Sequence, residues 1–145
     1  MAAGEEGALL EALGQEMATY HFAALLPEQQ ALADRELARC SAAVVAHTLL
    51  RHDAAVAAVR IEEGGLPDER CASTVISAEG AERDLTDAES DDLGRVDANL
   101  MDSNADAWYP LCREVDERSG VFILDVGKAL GAGRDMLARR TTPSR

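Results

Sequence analysis

The apolar positions in the last third of the chain recur at helical spacing. Leu111, Val115, Phe122, Val126, Ala129 and Met136 fall on one stripe of an α-helix, with Arg118 and Gly133 as its weaker members. Arg113, Glu114, Asp116, Glu117, Asp125, Lys128, Arg134 and Asp135 take the other faces. This spacing predicts a long C-terminal helix from Leu111 to Leu137. Its stripe must be buried against another helix, from the same chain or from a second copy.

Upstream, Leu9, Leu13, Met17, Tyr20 and Ala24 predict a first helix over 5–26, ended by Pro27. Val45, Leu49, His52, Val56 and Val59 share a face and predict a second helix over 28–63. Gly64-Gly65 and Pro67 stop it. Such a helix is about 50 Å long, which suits an elongated helical hairpin. Ser73-Thr74-Val75-Ile76 reads as the start of a short helix limited by Gly80. Thr86, with Glu89 three residues on, forms a capping box. It predicts a helix from about Asp87, with Leu93, Val96, Leu100 and Met101 inward. The expectation is an all-α fold: an antiparallel hairpin or coiled-coil-like bundle with a long C-terminal helix. Residues 1–140 form one domain and 141–145 a disordered tail.

Composition supports helices. The chain is 47% hydrophobic but only 3% aromatic, and alanine supplies much of the apolar count. Alanine favours helices and fills a core thinly. A formal charge of −13 argues against nucleic acid and anionic membranes as partners. Cys40, Cys71 and Cys112 have no C-x-x-C spacing, which fits a reducing compartment and gives zinc no support. The acidic start Met1–Glu6 lacks the basic region of a signal peptide. These features predict a cytoplasmic protein without a cofactor.

Candidate chemistry is sparse. The positions three before His21, His47 and His52 are Ala18, Val44 and Leu49, so the Glu-x-x-His pairs of a di-metal bundle are missing. Asp102-Ser103-Asn104-Ala105-Asp106 begins like a calcium loop. Ala107 then takes the glycine place and Arg113 that of the bidentate glutamate. No nucleophile elbow, P-loop or dinucleotide fingerprint occurs. Gly131-Ala132-Gly133 sits in a helical pattern, where small residues let another helix approach. Trp108-Tyr109-Pro110 is either a packed kink or a binding hot spot. No catalytic or metal-binding residue is assigned.

Two stretches resemble the flagellar export chaperone family FlgN. One runs from Leu32-Ala33-Asp34-Arg35-Glu36-Leu37 to Arg60-Ile61-Glu62-Glu63. The other is Glu114-Val115-Asp116-Glu117-Arg118-Ser119-Gly120-Val121-Phe122-Ile123-Leu124. Asp116 and Ser119 stand where the family favours asparagines. The resemblance implies a cytoplasmic type III secretion chaperone. Its C-terminal helix would bind an amphipathic helix of an unassembled hook–filament junction protein, in the helix-in-groove manner. On that reading Val115, Phe122, Val126, Ala129 and Met136 contact the client, while Arg118 and Asp125 set its register. A homodimer is the other way to cover the stripe. The competing readings are a ferritin-like or other bundle metalloenzyme, and a generic helical adaptor of the kind viruses and phages also encode.

Overall fold

The computed structural model describes residues 2–63 and 70–141. Two helices open the fold, α1 (Ala2–Phe22) and α2 (Pro27–His52). Strands β1 (Val56–Glu63), β2 (Arg70–Ser77) and β3 (Glu82–Asp84) follow. Then come α3 (Asp87–Leu93), a 3-10 turn over Val96–Asn99, the short α4 (Ala105–Trp108) and a second 3-10 turn over Tyr109–Leu111. A hairpin of β4 (Cys112–Asp116) and β5 (Val121–Asp125) leads into α5 (Val126–Thr141). The strands form one antiparallel sheet in the order β3-β2-β1-β5-β4.

The all-α expectation, with its bundle and coiled-coil pairing, is therefore corrected to a mixed α/β fold. The predicted second helix ends eleven residues early, at His52. Asp53 closes it in an extended conformation, its N–H bonded to the Leu49 carbonyl. Beyond it, Val59 and Ile61 alternate toward the core, and the β-branched residues suit a strand. The C-terminal helix is likewise split. Val115 and Phe122, seven residues apart, are cross-strand partners in a hairpin, not neighbours on a helix face. Ser73–Ile76 lies in β2. The predicted stop at Gly64-Gly65 and Pro67, and residues 142–145 of the predicted tail, lie outside the described residues.

Other local signals act as read. Thr86 Oγ1 accepts from the Glu89 N–H at 3.1 Å, and the Glu89 carboxylate accepts from the Thr86 N–H at 2.9 Å. Gly94, at φ 56°, ends α3. Pro27 opens α2 rather than merely closing α1, because its missing donor costs nothing in a first turn.

Helix α2 is the hub. Residues 40–49 are buried without a break, which a helix tolerates when elements surround it. One side joins the main core with β1, β2, β5, Trp108 and Val126. The other joins a second core with Leu9, Ala12 and Leu13 of α1 and Met136 of α5. Small residues set these distances. A Cβ on Gly133 would lie 2.5 Å from the Ala43 Cβ, so α5 crosses α2 where glycine meets alanine. Trp108 is fully buried and donates to the Met101 carbonyl at 2.9 Å. Its ring packs edge-on against Tyr109 and Phe122. The Trp108-Tyr109-Pro110 step is thus core packing.

Candidate binding surface

The seven residues predicted to contact a client do not share a surface. Phe122, Val126 and Ala129 are buried in the main core, and Met136 in the second. The expected exposed stripe is therefore absent. Val115 is 39% exposed on β4, at the margin of the core. Arg118 is exposed in the turn between β4 and β5. Asp125 ends β5, accepting from Arg113 Nε at 2.6 Å and from the Lys128 N–H at 2.9 Å, where it caps α5. Burial alone would raise its carboxyl; Arg113 and the Lys128 N–H hold it below the usual value. Asp125 is a helix cap and not a register residue of an exposed stripe.

The exposed apolar groups lie elsewhere. Among the described residues six large apolar side chains are exposed, and five of them, Leu10, Met17, Phe22, Leu26 and Leu32, belong to α1, its link to α2, and the start of α2. Phe22 is 86% exposed and Leu26 67%, the two largest values among them. Sequence reading placed Met17 on the stripe of the first helix with Leu9 and Leu13. The inward face of α1 is instead the narrow seam of Leu9, Ala12 and Leu13. Ion pairs flank the seam: Glu5 with Arg134 at 3.0 Å, Glu6 with Arg51 at 3.1 Å, and Glu16 with Arg140. One apolar face of α1 is used for docking; Leu10 and Met17, seven residues apart, lie on a strip outside it, and Phe22 on another side. Beside it, Leu13, Met17, Val96, Asn99 and Arg95 line a notch of about 240 Å³ between α1 and the Val96–Asn99 turn. An excess of large apolar residues over what one docked face needs was the readable signal for this surface.

The two histidines of α2 face carboxylates. His47 is buried, with Nε2 3.5 Å from Glu5 Oε1, and His52 meets Asp92 at 2.6 Å. The Cys40 and Cys112 thiols donate to the carbonyls of Leu9 and Trp108. Burial pushes each thiol up to about 12, far from a thiolate nucleophile. Among the described residues, no group of three His, Cys, Asp or Glu side chains is placed to hold a metal ion. No helix of the described residues is long and apolar enough to cross a membrane. What this surface offers chemically is apolar contact and negative charge.

Comparison with protein-family models, with curated proteins and with solved structures finds no match to this chain.

Proposed function

We propose that the protein is a non-enzymatic binding module of the export-chaperone kind, which holds a helix of an unassembled client on the outer face of its helical arm. One observation carries this reading: among the described residues, five of the six exposed large apolar side chains lie on α1, its link and the start of α2. Large apolar side chains left exposed on one part of a small protein favour contact with another molecule there. A client helix would present anchors at i, i+3 or i+4, and i+7 to it. The acidic remainder of the surface keeps the unloaded protein soluble and repels other copies. Cytoplasmic residence belongs to this proposal, and the buried thiols of Cys40 and Cys112 agree with a reducing compartment.

The resemblance of the sequence to FlgN chaperones names the first client to test, a C-terminal helical fragment of a hook–filament junction protein. Pull-down at low and high salt is the measurement. Binding is expected at both, because apolar contact is not screened as exposed charge pairs are. Phe22→Asp with Leu26→Asp is expected to weaken it at least tenfold. These side chains are exposed, so the fold should persist, and circular dichroism checks that it does. Full binding by this double variant overturns the helical arm as the client surface. No binding of any junction-protein fragment removes the export client and leaves a general adaptor.

A further inference from the structure

The sheet has a second face that neither apolar core covers. Side chains alternate along each strand. Val59, Ile61, Val75, Phe122 and Leu124 point into the main core. Their neighbours Ala58, Arg60, Thr74, Ile76, Val121 and Ile123 point the other way and belong to neither core cluster; Ala58, Thr74 and Ile123 are buried, and Arg60, Ile76 and Val121 are half-buried. The register sets these residues in rows across the strands. One row runs Asp84, Thr74, Arg60, Ile123, Glu114 from β3 to β4. The row on one side is Glu82, Ile76, Ala58, Asp125. The row on the other is Cys71, Glu62, Val121, Asp116.

On β2, β1 and β5 the rows mix Ile76, Ala58, Ile123, Val121 and Thr74 with Cys71, Arg60 and Glu62. On β3 and β4 they end in Glu82, Asp84, Glu114 and Asp116, and the row through Arg60 has a carboxylate at both of these ends. With Glu62 and Asp125 the face has six carboxylates against two arginines, a balance of four negative charges. Arg60 reaches sideways to Glu82 at 2.5 Å, and Arg113 to Asp125 at 2.6 Å. Glu62, Asp84, Glu114 and Asp116 have no cation partner among the described residues.

We infer that this face is a docking surface for a basic amphipathic helix of a partner protein. The inference rests on the reading of the chain as a binding module but uses a different surface from the helical arm. Charge complementarity selects the occupant. A second copy would bring the same four negative charges against this face, and nucleic acid would bring phosphates. A basic helix brings the opposite sign. Dimensions agree: three central strands span about 10 Å, close to the diameter of a helix with its side chains. Lysine or arginine side chains on both flanks of that helix would reach the acidic ends of the rows while their stems cover apolar surface. Strand addition at the sheet edges is disfavoured. β3 has three residues, and β4 carries Arg113, Glu114 and Asp116 with a register shift between Cys112 and Glu114.

The test uses the full chain and a fluorescent 18-residue helical peptide of leucine and lysine, read by anisotropy. Asp84→Lys with Glu114→Lys reverses charge at both ends of one row, at exposed positions that bear no packing. It is expected to weaken binding at least tenfold. Asp91→Lys with Asp135→Lys, exposed on α3 and α5, makes the same change in net charge away from the face. It is expected to shift affinity by less than threefold, as is the arm variant Phe22→Asp with Leu26→Asp. Ile123→Lys is expected to weaken binding as strongly as the row variant, with its melting checked by circular dichroism. Equal losses in the row variant and in the α3–α5 variant would mean unspecific attraction and overturn the proposal. Loss only in the arm variant overturns it by moving the peptide to the arm. Wild-type dimers that Ile123→Lys dissociates in sedimentation would overturn it in favour of a second copy. Failure of junction-protein binding alone touches the proposed client and leaves this result standing.

Discussion

Arg83 ties three elements together. Its guanidinium donates to both oxygens of Glu89, at 2.8 and 3.0 Å, and to Asp53 Oδ2 at 3.0 Å. Strand β3, the first turn of α3 and the end of α2 therefore share one cation. Glu89 is also the glutamate of the capping box, so one buried carboxylate satisfies a guanidinium and a helix N-terminal N–H together. Arg83 holds the Glu89 carboxyl down at about 2, from an ordinary value of 4.5. A carboxylate lowered in the folded state stabilises it fully above the unfolded value, and that contribution disappears as pH falls toward the folded value. Acid unfolding is therefore expected to steepen between pH about 4.5 and about 2. Glu89→Gln should cost roughly 1–3 kcal/mol at neutral pH and flatten the curve in that window. Urea titrations across that range check it; a variant with an unchanged acid limb would remove Glu89 as its cause. Half of this node was legible. Thr86 and Glu89 announced the cap through their spacing, whereas Arg83 and Asp53 meet only because the sheet brings β3 beside the end of α2.

At the scale of elements, the hairpin of β4 and β5 was the misread segment, and its turn explains how it forms. Gly120 has φ 68°, where a side chain is disfavoured, and a Cβ there would lie 2.8 Å from Glu63 Cδ. The glycine also lets the Glu63 N–H reach the Gly120 carbonyl at 3.0 Å, extending the contact of β1 with β5. Gly120→Ala is expected to cost about 1–2 kcal/mol from the backbone alone, with a further loss from the contact. Adding Glu63→Ala should recover the steric part only, which thermal melts of the single and double variants resolve. Complete recovery by the second change would mean the positive φ carries no cost. Ser119-Gly120 was a readable turn signal, but the apolar residues on either side of it masked it. Val115 and Phe122 stand seven apart, two helical turns, and also face each other across a hairpin with a four-residue turn. Val56 and Val59 continued the α2 face in the same accidental way, past the break at Asp53. Period alone did not separate the two structures there; the β-branched content of Val56–Ile61 and Val121–Ile123 was the better guide.

For the molecule as a whole, charge and composition were legible and the proposed binding surface was not. The sequence stripe collected core residues from two different cores, because Phe122 and Met136 face α2 from opposite sides. Most large apolar residues left outside among the described residues are on α1, its link and the start of α2, and they fixed the proposed surface only after the sheet had claimed the rest. This division makes α1 the least anchored long element. It docks through Leu9, Ala12 and Leu13 and through ion pairs of Glu5, Glu6 and Glu16. Elements held by few buried contacts open below the global unfolding free energy, and exposed pairs weaken with salt. Cys40 reports such opening: its thiol lies under α1, donating to the Leu9 carbonyl at 3.3 Å. Cys112 lies in the main core, away from α1. In a Cys71→Ala background, thiol labelling at neutral pH is expected to be faster at Cys40 than at Cys112. Raising salt, or replacing Glu5, Glu6 and Glu16 with glutamine, should accelerate Cys40 severalfold and leave Cys112 unchanged. Mass spectrometry of the labelled peptides separates the two sites. Labelling of both cysteines at one common rate, with one common salt dependence, would show that α1 opens only when the whole fold does, and the arm would then hold its exposed apolar side chains as a rigid part of the molecule.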